Sequence, residues 1–557
     1  MVGHLIRLRR AIQRNTPPWK RRLGLGLGLL AAAITWGAAL LPAPHARADA
    51  LALCLGAWLI GWVIGPILGS GAAVLRPEYF LPMPLRPVSA SLGLLSSVFA
   101  GTGALVTAVA ASAIVAFAVL AGSVAGVIAG VVAAALFLVL TIALSRMLYA
   151  LLGSAMRTAL GLQIAAISYG ALVAVLTIGW LLIVPLIGIL PAFLANGFAD
   201  DLLSDALRRS PAGWPVAAVE LNSRGDIAGS LTVVGALATA ALVAVTGAIV
   251  LLAPRPRAAT RSSRRHRLGS KSPWRFLPAS LMGATLGREL RTWTRDPWRR
   301  LELWLSIWFG LFVALIATLA GLPKLAVLAG IGLAVMVTLR GTNLYGYDGT
   351  ALWQLATLGS DEAIRADVQG RQLGLGAVFG IPAIALTVVM TVITGAYQYA
   401  LAAVPAIVAL TAAGTGVAIT ASVLWPTPGV DPHRRASAAD VGDNPLVYRI
   451  ATWVIFLLTS PTIALAILVA FDPDWLGAWA QWALIPLAIG NGVAVWWFLG
   501  SFAARHLARR LPETLARLRH TTTASSLSDL WSTLTTDRDE DRHPRPSEQS
   551  DRARGIP

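Results

Sequence analysis

A basic, proline-broken segment followed by a long apolar run occurs twice. The first copy reads Arg14-Asn-Thr-Pro-Pro-Trp19-Lys-Arg-Arg22, and the second Arg295-Asp-Pro-Trp298-Arg-Arg300. Each half then carries a polar break between apolar runs, Tyr79–Pro87 in one and Leu352–Ser360 in the other. Phe80 stands 61 residues after Trp19, and Trp353 stands 55 after Trp298. The order of basic elbow, span, span, polar loop and span is therefore used twice, as in a duplicated membrane unit.

The apolar runs fix the solvent. Hydrophobic residues make up 56% of the 557 and charged residues 13%, about half the charged share of an average soluble domain. The charges are clustered, which leaves uninterrupted stretches long enough for the roughly 20 apolar residues that a helical bilayer crossing needs. The expected fold class is an all-α polytopic membrane protein with about twelve transmembrane helices in two six-helix repeats. Spans are expected near 23–41, 50–75, 90–118, 122–144, 160–190 and 228–252. The second set lies near 301–320, 323–340, 373–396, 399–424, 449–471 and 477–502. The expected organisation is a cytoplasmic amphipathic elbow (1–22), a first six-span unit (23–252) and a basic linker with the second elbow (253–300). A second six-span unit (301–502) and a cytoplasmic, largely disordered tail (503–557) follow.

Loop charge sets the orientation. One set of loops holds Arg7 to Arg22, Arg76, Arg86, Arg146, Arg157, the Arg255–Arg275 linker, Arg365, Arg371, Arg434, Arg435 and Arg505–Arg510. The other set is sparse or acidic, with Asp200, Asp201, Asp205, Glu220, Asp226, Asp472 and Asp474. The positive-inside bias places the first set and both termini in the cytoplasm. The stretch Lys20–Ala48 has signal-peptide features, a basic start, an apolar run and a small-residue Ala-Arg-Ala site. Its counterpart at 301–320 is an internal span, which favours a retained first span.

Several classes of chemistry are disfavoured. The net charge of +18 sits beside membrane spans and has no nucleic-acid recognition module with it. Cys54, the single cysteine, lies in an apolar run and reads as a small buried hydrophobe. The seven histidines are scattered, with no metal-ligand spacing. No GxxxxGK[ST] motif occurs, so the chain offers no phosphate-cradling loop. No span shows a clear pair of ionisable groups of the kind proton- or ion-coupled transporters carry at mid-membrane.

Residues 5–14 and 286–298 read as amphipathic helices lying in the basic interface, with Arg14, Trp19, Arg295, Asp296 and Trp298 as elbow candidates. The two short polar loops have apolar centres: Phe80, Leu81, Met83 and Leu85 with Arg86, and Trp353, Leu355 and Leu358. Exposed apolar groups on such loops mark an interaction site or a contact with head groups. Asn343-Leu-Tyr-Gly-Tyr-Asp348-Gly reads as a tight turn in which Asp348 caps the next helix. No acid, base or metal ligand accompanies Asp348 in the sequence, which disfavours a catalytic role. Trp214 and Trp475, each within two residues of a proline on the acidic face, are interfacial anchors or outer-gate candidates.

The elbow ending in Arg295-Asp-Pro-Trp298, the first two spans, the coupling-like loop and the Ser210–Pro215 segment before the sixth span resemble the permease of ABC-2 type ATP-binding-cassette exporters. Asn343–Trp353 and the polar stretch to Arg371 resemble the second-half signature of fused bacterial members. The resemblance covers roughly residues 1–510. It implies a non-enzymatic permease in a bacterial cell membrane. A separate ATPase, in two copies, would dock on the elbows and coupling loops and use the ATP, so this chain would bind no cofactor. The first half departs from the Asn-x-x-Gly-x-Asp-Gly pattern, with Pro66-Ile-Leu-Gly-Ser-Gly71 and no acid. The alternative reading is a membrane assembly or regulatory protein that transports nothing.

Overall fold

The computed structural model describes residues 2–14, 18–68, 86–155, 159–253, 277–429, 442, 444–471 and 479–518. Among the described residues every regular element is helical. Among them eleven helices are long and apolar enough to cross a membrane, or twelve if a bent pair meeting at 66° is counted as one span. The chain is an all-α polytopic membrane protein.

The first half opens with α1 (Val2–Arg14), α2 (Pro18–Ala39) and α3 (Pro44–Leu68). The expected third span breaks after α4 (Pro87–Phe99), and α5 (Thr102–Ala111) with α6 (Ala113–Leu120) runs on as one span, Thr102–Leu120. Gly101 is extended between the first two. The Ser112 hydroxyl donates to the Val109 carbonyl between the second two, a side-chain bond that competes with the helix ladder. Then come α7 (Val124–Ala155), α8 (Ala159–Ile178), α9 (Ile183–Asn196), α10 (Asp201–Arg209), α11 (Trp214–Ser223) and α12 (Ile227–Leu251).

The second half has α13 (Leu281–Arg295), α14 (Pro297–Leu319), α15 (Ala329–Gly341), α16 (Leu344–Asp348), α17 (Trp353–Leu358) and α18 (Asp361–Thr394). It ends with α19 (Tyr397–Leu424), the bent pair α20 (Pro445–Leu458) and α21 (Ser460–Phe471), and α22 (Trp479–Arg517). α18 starts twelve residues before the expected span. Ser360 caps it by accepting from the Ala363 amide, and Asp361 and Glu362 occupy its first turn, where the helix dipole favours acids. α22 likewise overruns its expected end and kinks at Arg510, two residues before Pro512.

The same pairings recur in the two halves. α1 packs on α4 as α13 packs on α18; α2 meets α3 as α14 meets α15; α7 lies along α12 as α19 lies along α22. The largest core cluster belongs to the second half and is centred on Leu333, Phe379, Leu410 and Ile455. Ala174 of α8 joins it, so the first half contributes to the second half's core.

Candidate functional site

Three glycine-based approaches build a polar cluster at the basic end of the second half. α13 lies so close to α18 that a Cβ on Gly370 would stand 2.7 Å from Thr285 Cβ, and one on Gly374 would stand 2.8 Å from Glu289 Cβ. Small residues four apart let two helices meet at backbone distance. At the end of the second span, a Cβ on Gly346 would collide with Asn343 Oδ1 and the Thr427 carbonyl. Asn343 closes this turn. Its amide donates to the carbonyls of Thr427 at 3.0 Å and Gly442 at 2.6 Å, and its oxygen accepts from the Thr427 amide at 3.0 Å. Gly349, at φ +54°, then turns the chain toward α17.

This packing gathers six charges. Arg371 of α18 donates to Asp367 at 2.8 Å, to Asp348 at 2.6 Å and to Glu289 at 3.3 Å. Arg299 of α14 reaches Glu289 at 3.0 Å and Asp348 at 3.6 Å. Arg288 reaches Asp348 at 2.6 Å. Three guanidiniums thus face three carboxylates. The Glu289, Arg299 and Arg371 side chains are each at most 3% exposed. Aromatic rings enclose the cations: Arg371 lies 4.4 Å from the Tyr345 ring centroid, and Arg299 lies 5.0 Å from Tyr347 and 5.3 Å from Trp293. Tyr345 donates its hydroxyl to Asp367 at 2.9 Å, and Tyr347 donates to Glu302.

The electrostatics follow. Burial alone would raise the Asp348 carboxyl. The guanidiniums of Arg371, Arg288 and Arg299 outweigh it and hold the group well below its ordinary range. Burial, with Asp367 next in weight, pushes the Tyr345 hydroxyl well up; burial and Glu302 do the same for Tyr347. All three groups are fixed in one protonation state near neutrality. The cluster's geometry joins elements. It ties the second elbow, the start of the first span, the turn after the second span and the head of the third into one body.

Asp348 therefore has three guanidinium partners, which the sequence did not bring to it, and it is the last residue of α16. Paired ionisable groups also occur in span-bearing helices, at their basic ends: Asp367 with Arg371 in α18, and Arg299 of α14 with Glu289. Asp296 caps α14, accepting from the amides of Trp298 at 2.9 Å and Arg299 at 3.0 Å. Trp298 packs on the Leu301–Leu305 cluster, Arg295 is exposed, and Trp19 is 62% exposed. Arg14 ends α1.

Of the coupling candidates, Trp353 and Leu358 are 54% and 56% exposed. Leu355 does not share that face and is buried in the main core. Arg86 is exposed just before α4. Phe80, Leu81, Met83 and Leu85 lie outside the described residues, as does Trp475. Trp214 is half-buried and donates to the Arg209 carbonyl at 2.9 Å, which fastens the turn between α10 and α11. A second clasp holds this face of the first half. Buried Asp49 accepts from Ser204 at 2.6 Å, the Phe198 amide at 3.1 Å and Arg208 at 3.3 Å.

Sequence reading missed Glu289, Asp367 and the pairing role of Arg299. An acid in the basic elbow, and glycines four apart on the polar stretch after Ser360, were the available signals. Among the described residues no group of three or more His, Cys, Asp or Glu is placed to hold a metal ion. The chain matches no protein-family model, no curated protein and no solved structure.

Proposed function

We propose that the chain is the membrane-spanning permease of an ATP-binding-cassette exporter of the ABC-2 type, driven by a separate ATPase. The observation that carries this reading is the six-charge cluster with Trp353 and Leu358 exposed next to it. A permease without a nucleotide site has to receive motion from a partner and deliver it to its spans. Short docking helices on a rigid, neutral knot of elbow and span ends suit that task. The basic face carrying both elbows is the cytoplasmic side of a bacterial cell membrane, with both termini there. Two copies of the ATPase engage the two elbow regions. ATP binding and hydrolysis in the partner press on α17. The cluster passes the displacement to α13, α14 and α18, and α8, seated on α14, passes it to the first half. Cargo crosses between the halves.

The test is affinity purification of the tagged chain from its own membranes. A protein with a phosphate-loop ATPase sequence is expected to co-purify, and ATP hydrolysis is expected to track that partner. Hydrolysis by the isolated chain, or purification with no such ATPase under conditions that keep membrane complexes intact, contradicts the reading.

A further inference from the structure

The halves meet along α8, the fifth span of the first, and α14, the first span of the second. Leu162, Ala165 and Ala166 bury against Leu301 and Leu305 there. A glycine admits the partner helix: a Cβ on Gly170 would stand 2.8 Å from the Phe309 amide nitrogen and from Trp308 Cβ. Gln163 accepts from the Trp308 indole at 3.2 Å.

The repeat supplies a second pair of the same kind, α20 as the first arm of the bent pair in the fifth place of the second half and α2 as the first span of the first. Here both faces are bare. On α20, Leu446, Ile450, Trp453 and Leu457 form one stripe at helical spacing, 62%, 44%, 75% and 72% exposed. The opposite stripe, Val447, Ala451 and Ile455, is buried. On α2 the corresponding stripe is Gly26, Leu30, Ala33 and Gly37, all exposed. A Cβ on Gly26 or Gly37 would meet nothing. With Trp19 aligned to Trp298, these four positions match Leu305, Phe309, Phe312 and Ile316, three of which are buried.

Acyl chains cover apolar surface in a bilayer, so exposure alone names no partner. Shape does. On this stripe α2 offers Gly26, Ala33 and Gly37 around Leu30, and α20 offers large residues throughout, the seated pair's arrangement with the roles exchanged between first and fifth span. Small residues facing large ones permit the close packing that holds helices together in lipid. Depth agrees as well: Gly26 and Trp453 each stand eight residues past the first residue of their helix, and Leu30 and Leu457 twelve. We infer that α2 and α20 form a second seam between the halves, open in this structure, that closes by setting Trp453 over Gly26 and Leu457 against Leu30. The two seams then frame the passage between the halves, one fixed and one that opens.

The test is disulfide cross-linking of the full chain in membranes, in a Cys54→Ser background with a protease site placed in the 261–268 linker. Gly170→Cys with Trp308→Cys, whose Cβ atoms face each other across the seam, reports the fixed seam. Gly26→Cys with Trp453→Cys and, separately, Leu30→Cys with Leu457→Cys report the proposed one. After oxidation and protease cleavage, the two halves are expected to stay joined until reductant is added, for both seam pairs as for the fixed pair. A Leu242→Cys with Trp453→Cys pair, exposed but on α12, is expected to separate. Separation of the halves in both seam pairs while the fixed pair stays joined overturns the inference. So does linkage found only between two copies of the chain. No ATPase enters the experiment, so its outcome is independent of the permease reading.

Discussion

Asp348 shows how much one side chain's surroundings decide. A carboxyl depressed in the folded state stabilises the fold above its unfolded pKa, and that contribution fades as pH falls below it toward the folded value. The stability gap between the native chain and Asp348→Asn is therefore predicted to be constant from about pH 5 to 8 and to shrink below about pH 4, near the ordinary carboxylate value. Thermal aggregation of the solubilised protein measures it; a gap that changes between pH 6 and 8 contradicts the assignment. Arg371 is the more severe position. Arg371→Met leaves two guanidiniums against three carboxylates in a dry site, and breaking one side of a buried pair costs on the order of 3–5 kcal/mol. Adding Asp367→Asn restores the charge balance. The double variant is predicted to melt above the Arg371→Met single variant, and a further drop would show that the pairing is not what matters. None of these partners could be read locally. Arg288, Glu289 and Arg299 lie 49 to 60 residues from Asp348, and only the fold brings them together.

At the scale of elements, long apolar runs were legible and their polar extensions were not. Hydropathy marks where a helix is in lipid; it does not mark where the helix ends. Thus α18 begins at Asp361, outside the apolar run, because Ser360 caps it and α13 packs along its polar head. The break in the expected third span follows from the extended Gly101, which a hydropathy count treats as neutral. The close approach of α13 and α18 depends on Gly370. Gly370→Leu forces atoms into a gap of less than 3 Å, and overpacking typically costs about 1–3 kcal/mol. Trypsin cleavage after Arg291 and Arg295 is predicted to accelerate in that variant; unchanged cleavage would mean that α13 is held by its charges alone. On α17 the three apolar residues separate by burial. Trp353→Ala with Leu358→Ala is predicted to weaken ATPase association roughly ten-fold or more, as loss of interface hot spots does, while the protein still inserts and purifies. Leu355→Ala is predicted to lower stability instead, because its side chain is in the core. Equal partner binding by the Trp353/Leu358 variant and the native chain would leave these residues as head-group contacts.

For the molecule as a whole, the repeat was legible in the elbows and the span order, and it recurs in the helix pairings. The inequality of the halves was only half legible. The sequence shows no acid among residues 1–48, so the first elbow has no local counterpart of Glu289. That the second half alone gathers six charges among the described residues follows from packing. Orientation is testable directly: Asp205→Cys, in the Cys54→Ser background, is predicted to react with an impermeant thiol reagent from outside intact cells, and Arg265→Cys only after permeabilisation. Labelling of residue 265 in intact cells would invert the topology and remove the docking face from the cytoplasm.

The central claim is that this chain moves when a separate ATPase acts on its basic face. The most direct measurement is ATP hydrolysis in proteoliposomes containing the chain alone, the co-purified ATPase alone, or both, with native and Trp353→Ala/Leu358→Ala chains compared in the pair. The account predicts no hydrolysis by the chain alone, the highest rate in the native pair, and a rate near that of the ATPase alone with the double variant. Hydrolysis by the chain alone, or a rate in the native pair no different from that of the ATPase by itself, would contradict it.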